Sequence, residues 1–299
     1  MTWKRVATAV ILIPCVVGLV LWGPTAVVAI ALALVILLAL FEFFALGDAI
    51  GHRAYRFWTA TCALLLVFVQ WWTANLSQLG HLVMPRRMGS SYPSIERMPM
   101  FLLEYPPTAG DVLFLFLLGV TVLTLWTKRP MVEALPAAGI SSSGLILVVF
   151  PLTLAIRLQG FPLVGPEILL FALVITWVGD TAAYFVGRAI GKHKLAPALS
   201  PNKSWEGSIA SILGALLVAV VFARWLTVPL PHLLAMAVVG NVAGQAGDLL
   251  ESAYKRSAGV KDSGSLLPGH GGVLDRIDAL ILAIPVVWYY WIWIYLPSR

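Results

Sequence analysis

Nine stretches of the chain carry long, nearly uninterrupted apolar runs, at roughly 6–22, 25–46, 58–76, 111–126, 138–156, 166–187, 208–227, 231–250 and 274–296. A helix needs about 20 mostly apolar residues to cross the hydrocarbon core of a bilayer. The pattern therefore predicts an all-α, polytopic integral membrane protein with about nine transmembrane helices. The fourth run is the shortest. Pro14 and Pro151 fall inside runs and predict kinks, which membrane helices tolerate because neighbouring groups satisfy the freed backbone. The opening MTWKRVATAVILIPCVVGLVLWG has the basic start and apolar middle of a signal peptide, yet apolar character resumes after Gly23 and Pro24 and continues to residue 46. A retained first helix is the expectation.

Composition agrees with the pattern. Of 299 residues, 60% are hydrophobic and only 11% are charged, a balance that excludes an ordinary soluble domain. The net charge of +6 fits basic loops beside an anionic membrane face and calls for no nucleic-acid partner. Cys15 and Cys62 both lie in apolar runs, where they act as small hydrophobes with no disulfide or metal framework. Placing the N-terminus in the cytoplasm puts 14 Lys and Arg residues on the cytoplasmic side and 6 on the other, the asymmetry the positive-inside rule requires. The chain then divides into an N-terminal transmembrane region of about four helices (1–137) and a C-terminal region of about five (138–299). The latter has two polar cytoplasmic loops, 188–207 and 251–273. The segment 77–110, rich in Pro and Met, falls on the far side and reads as a surface or interfacial segment, with a dimer contact as the alternative.

Chemistry concentrates near the end of the chain. Residues 248–278 hold Asp248, Glu251, Asp262, Asp275 and Asp278, together with Lys255, Arg256, Lys261 and Arg276. Carboxylates hold divalent cations and basic groups hold anions, so a site with both suits a metal-bound polyphosphate. Pro268, Gly269, His270, Gly271 and Gly272 precede the last apolar run, and the N–H groups of its first turn are candidates to face a phosphate.

Three predicted helices carry polar faces. In helix eight, Asn241, Gln245, Asp248 and Ser252 fall within roughly a 60° arc at 100° per residue. Gly240, Gly244 and Gly247 form an adjoining stripe that permits close approach of another helix. Helix nine opens with Asp275, Arg276 and Asp278, where negative charge is favoured. Helices eight and nine are consecutive and antiparallel, so Asp248 and Asp275 are expected at similar depth and make a plausible metal pair. Asp180 in helix six adds a third acid. Arg188, Lys192, Lys194, Lys203 and Ser204 follow in the loop to helix seven, where a hydroxyl and a lysine at a helix start suit a phosphate. His81, His193 and His232 have no partner at ligand spacing and read as structural. Glu42, in FEFFAL of helix two, is an intramembrane acid for which loop Lys and Arg residues are the candidate partners.

These residues resemble a known family. Ser252, Lys255, Arg256, Lys261, Asp262, Pro268, His270, Gly271, Gly272, Asp275, Arg276 and Asp278, at this spacing, are similar to the signature of phosphatidate cytidylyltransferases (CDP-diacylglycerol synthases). Tyr254 departs from it, standing where the pattern carries an aliphatic residue or Phe. The resemblance extends to Asp180, Ala183, Tyr184 and Gly187, to Ser200, Pro201, Lys203, Ser204, Glu206 and Gly207, and to the opening KRVATAVILIP and FEFF segments. It is dense over about 176–279 and loose before that.

The resemblance implies transfer of the cytidylyl group of CTP to phosphatidate, giving CDP-diacylglycerol and pyrophosphate in phospholipid biosynthesis. It implies Mg²⁺, with K⁺ as a candidate second cation. Asp248 and Asp275 become expected metal ligands, with Asp278 and Asp180 completing or supporting the shell. Lys203, Ser204, Lys255, Arg256 and Lys261 are expected at phosphates, and Arg276 in substrate binding. His270, Gly271 and Gly272 are expected to cradle the nucleotide or leaving group. The resemblance also implies a homodimer, while the compact size and short loops suggest a bacterial inner membrane and the Lys and Arg count a site facing the cytoplasm. An ion or solute transporter is the alternative from another class; its polar groups would be expected near the midplane, whereas these acids gather toward one membrane face. Another CTP-dependent lipid enzyme is the third reading.

Overall fold

The computed structural model describes residues 2–83, 105–264 and 271–298. Among the described residues, nine helical segments appear where the apolar runs predict them: α1 (Thr2–Trp22), α2 (Thr25–Ala49), α3 (Arg56–Val83), α4 (Ala109–Trp126), α5 (Met131–Gln159), α6 (Gly165–Ile190), α7 (Trp205–Phe222), α8 (Leu230–Ser257) and α9 (Leu274–Ser298). Eight of them, α2 to α9, are long and apolar enough to cross a membrane, and Leu12–Trp22 of α1 is a shorter apolar helix. Most of the 77–110 segment, from residue 84 to 104, lies outside the described residues, as do residues 265–270 with His270.

Side chains sort as they do in a bilayer. Ile36 and Leu40 of α2, Leu66 of α3, Leu152 and Ile156 of α5, Phe171 of α6, Met236 of α8 and Trp291 of α9 are all buried in one hydrophobic core. Large apolar residues such as Leu34, Phe57, Leu117, Leu217 and Trp293 face outward. An apolar exterior around an apolar core suits lipid as the solvent. The protein is an all-α polytopic membrane protein.

Two prolines leave their mark. In α5 the α-helical pieces Ala134–Ser143 and Phe150–Gln159 are joined by a π-helical turn, Gly144–Val149, directly before Pro151. Pro151 has no N–H and crowds the preceding turn, and the wider turn absorbs that misfit. In α9, Pro285 is followed by a second π turn at Trp291–Tyr295.

Two departures from the sequence expectation reshape the polar end. Helix α8 does not stop near residue 250 but continues to Ser257, so Glu251, Ser252, Lys255 and Arg256 are helical. Lys255 and Arg256 occupy its last turn, where positive charge complements the helix dipole, and Glu251 pairs with Lys255 one turn on. The 188–207 segment contains a two-stranded antiparallel hairpin, β1 (Lys194–Ala196) and β2 (Ser200–Ser204), leading straight into α7. Ser204 caps that helix by accepting the Gly207 N–H at 3.2 Å.

The glycine stripe works as expected. A Cβ at Gly240 would lie 2.9 Å from Ile175 of α6 and 3.0 Å from Val287 of α9, and one at Gly247 would lie 2.5 Å from the Asp278 carbonyl oxygen. The bare backbone of α8 therefore lets α6 and α9 approach closely enough to bring their acids together.

Candidate active site

The polar stripe of α8 divides into two uses. Asn241, buried, donates to the Ile175 carbonyl at 3.2 Å and to Ser211 Oγ at 3.0 Å. Gln245 donates to Asn241 Oδ1 at 2.8 Å and accepts from Ser208 Oγ. These amides tie α8 to α6 and α7, where hydrogen-bonding groups buried in an apolar bundle require partners. One turn further along, the same face presents Asp248 and Ser252, and there the stripe becomes a site.

Asp248 and Glu251 of α8 and Asp278 of α9 each offer a carboxylate oxygen, and the three lie within 4.8 Å of one another. Asp180 of α6 is close enough to interact electrostatically with Asp248 and Asp278. Two lysines enter the cluster. Lys203 of β2 reaches Asp248 Oδ2 at 2.6 Å. Lys255 bridges Glu251 Oε2 at 2.5 Å and Asp275 Oδ1 at 2.6 Å. Five carboxylates thus share two lysines, an arrangement whose mutual repulsion a further cation relieves. Glu251 Oε1 is buried and accepts no hydrogen bond among the described residues.

Asp275 plays a different part from its neighbours. Besides Lys255, it accepts the backbone N–H groups of Ser263, at 3.1 Å, and of Gly272, at 2.8 Å. Gly271 has φ +80°, and a Cβ there would lie 2.9 Å from Asp275 Oδ2. Glycine is required both for that left-handed conformation and for the carboxylate's approach.

The next two backbone donors, at the start of α9, meet Glu42. Its carboxylate accepts the Val273 N–H at 3.0 Å, the Leu274 N–H at 2.8 Å and the Ser263 hydroxyl at 3.2 Å. A Cβ at Gly264 or Gly272 would stand 2.5 Å from one of its oxygens. Glu42 therefore finds a serine and backbone amides among the described residues rather than one of the candidate loop Lys or Arg residues. The amides of Gly272, Val273 and Leu274, where the sequence offered candidates for a phosphate, are bound to Asp275 and Glu42 instead.

Of the other predicted residues, Arg256 donates to the Leu199 carbonyl at 3.3 Å and the Val260 carbonyl at 3.0 Å, fastening the end of α8 to the hairpin. Lys261 and Arg276 are exposed. Ser204 is buried with its hydroxyl engaged as the α7 cap, while Lys203 beside it points into the cluster. Among the histidines read as structural, His193 contacts Glu206 at 2.7 Å and His232 contacts the Tyr290 hydroxyl at 3.1 Å. Sequence reasoning gave Glu251 no role. Its signal is the three-residue spacing from Asp248, which puts both on one helix face once α8 is known to continue.

Comparison with known proteins places this geometry in context. The family model described as "Cytidylyltransferase family" matches residues 3–294. The chain is 40% identical over 178 residues to a phosphatidate cytidylyltransferase of Haemophilus influenzae, covering 56% of this chain and 60% of that protein. It is 43% identical over 136 residues to one of Bacillus subtilis, covering 45% and 51%, and 40% identical over 182 residues to one of Brucella suis, covering 58% and 63%. The matched stretches thus span less than two thirds of these relatives' lengths. With the family match running through every helix that builds the carboxylate cluster, the chain belongs to the cytidylyltransferase family.

Proposed function

We propose that this protein transfers the cytidylyl group of CTP to phosphatidate, producing CDP-diacylglycerol and pyrophosphate. The observation that carries the reading is the grouping of Asp248, Glu251 and Asp278 within 4.8 Å beside Lys203 and Lys255, at one end of an apolar bundle. The names of the relatives support the same substrates.

A phosphate oxygen of the lipid forms a bond to the α-phosphorus of CTP. The bond from that phosphorus to the bridging oxygen breaks, and the electron pair leaves with pyrophosphate. The lipid phosphate is itself the nucleophile, so no covalent enzyme intermediate is needed. Both reactants are anions, and the protein's task is to bring them together and offset their charge.

The donor set fits Mg²⁺. It is all oxygen and all carboxylate, and it includes a buried Glu251 oxygen that accepts no hydrogen bond among the described residues. When bound, the ion supplies neutralisation of the triphosphate and of the pyrophosphate that departs. Asp248, Glu251 and Asp278 would hold it, with Asp180 alongside and K⁺ as the candidate second cation. Asp275 is the further ligand implied by the family resemblance. Its oxygens take Lys255 and two amides, so ligation by Asp275 goes with transfer of Lys255 to a substrate phosphate. Lys203 is placed to make the same exchange from Asp248. Arg256, Lys261 and Arg276 extend the positive rim, and the 14-to-6 distribution of Lys and Arg supports a cytoplasmic site in a bacterial inner membrane. A homodimer is the expected assembly.

The test is an assay of the purified protein with phosphatidate, Mg²⁺ and each nucleoside triphosphate in turn. CTP should yield CDP-diacylglycerol and pyrophosphate, and Asp248→Asn should yield neither while remaining folded. Turnover with ATP but not CTP, or full activity of Asp248→Asn, would overturn the reading.

A further inference from the structure

Away from the carboxylate cluster, a cavity of about 660 Å³ is lined by the end of α2, the start of α3 and the end of α4. It falls in the range of roughly 300–1,000 Å³ common for small-molecule sites. None of the clustered acids lines it. It lies beyond Glu42 on α2, so it opens at the same end of the bundle as the cluster.

Its lining mixes two characters: Arg53, Arg56 and Arg129 are cationic, and Phe57, Trp58 and Leu123 are apolar. Asp48 is the one carboxylate among the lining residues, and it pairs with Arg56. Among the described residues, Arg129 is held by neutral groups only. It donates to the Arg53 carbonyl at 2.5 Å and the Ala54 carbonyl at 3.5 Å, and its guanidinium lies 5.2 Å from the centre of the Tyr55 ring. Those contacts fix its position without cancelling its charge. Three guanidiniums against one carboxylate leave the lining positive.

The surroundings say what covers it. Phe57 is 87% exposed, and Leu125 and Trp126 on the last turn of α4 are 72% and 76% exposed, on helices long and apolar enough to cross a membrane. The guanidiniums therefore sit where an outward apolar surface begins. A soluble anion would leave the apolar lining bare, and an uncharged lipid would leave the guanidiniums uncompensated. An amphiphile with a phosphate head and acyl chains matches both, and guanidinium is the side chain best shaped for phosphate.

We propose that this cavity binds an anionic glycerophospholipid, its phosphate on Arg53, Arg56 and Arg129 and its chains along α3 and α4. The site is separate from the proposed reaction centre. Asp48 is an internal competitor for Arg56, so its removal should strengthen binding. That sign is opposite to what loss of a merely structural ion pair would produce.

The test uses the full chain in nanodiscs or mild detergent, with retained lipid quantified by native mass spectrometry. Phosphatidylglycerol is the probe and phosphatidylcholine the comparison. The wild type should retain phosphatidylglycerol preferentially. R53Q/R56Q should lose about fivefold per arginine removed, and Asp48→Asn should gain by a similar factor. Equal retention of the two lipids, unchanged preference in R53Q/R56Q, or weaker binding by Asp48→Asn overturns the proposal. So does displacement of the lipid by millimolar inorganic phosphate or glycerol phosphate, which would make it a site for soluble anions. Should R53Q/R56Q fail to fold, the direction of the Asp48→Asn change still decides.

Discussion

Glu42 of α2 accepts the backbone N–H of Leu274, the first residue of α9, at 2.8 Å. One carboxylate in the N-terminal part of the chain thereby caps the helix that carries Asp275 and Asp278, and the adjacent Val273 N–H and Ser263 hydroxyl complete its shell. The cap matters because a helix start cannot leave buried N–H groups unpaired. It also fixes where α9 begins, and hence where Asp278 meets Asp248.

Replacing Glu42 exposes that dependence. Glu42→Ala strands three buried donors at roughly 1–3 kcal/mol each before relaxation, and a net loss of about 3–5 kcal/mol is expected. Glu42→Gln keeps one carbonyl oxygen and should lose less than half of that. Thermal unfolding of the purified variants measures the order, and equal melting of Glu42→Ala and wild type would show that the cap contributes nothing.

The close approach of α8 and α9 makes a second prediction. Gly247→Ala puts a methyl group 2.5 Å from the Asp278 carbonyl oxygen, which forces the helices apart and should cost about 1–3 kcal/mol. Gly139→Ala on α5 meets nothing within 4 Å and should be neutral or stabilising by up to about 1 kcal/mol. Measuring both by thermal unfolding separates crowding from a general intolerance of added side chains. Gly247→Ala should also lower turnover.

The turn before α9 is similarly constrained. Gly271→Ala must hold φ +80° with its Cβ 2.9 Å from Asp275 Oδ2, a strain of about 1–3 kcal/mol. The disturbance falls on Asp275 and, through it, on Lys255. A fall in kcat larger than the fall in stability is expected. Wild-type kinetics in Gly271→Ala would mean that Asp275 tolerates displacement.

Much of this arrangement is legible in the sequence, and the gaps have physical causes. Helix positions follow from apolar runs because a bilayer sets their length. Asp248 and Asp278 announce themselves as charges beside apolar helices, where an acid needs a reason. Asn241 and Gln245 share the Asp248 face, yet periodicity cannot tell an amide that joins helices from one that meets substrate. Glu251 is hidden because hydropathy falls near residue 250 while the α8 backbone does not stop there. Glu42 is conspicuous, but its partners are largely main-chain amides, which leave no mark in a sequence. The 194–204 hairpin has strands too short for an alternating pattern to show.

The central claim is that Asp248, Glu251 and Asp278 together form a divalent-cation site. The most direct measurement is a Mn²⁺ titration of the purified protein followed by electron paramagnetic resonance, without nucleotide, comparing wild type with Asp278→Asn and with Asp111→Asn at the exposed start of α4. Wild type and Asp111→Asn should remove the free-ion signal with the same affinity, and Asp278→Asn should bind at least about tenfold more weakly. Undiminished binding by Asp278→Asn would contradict the account.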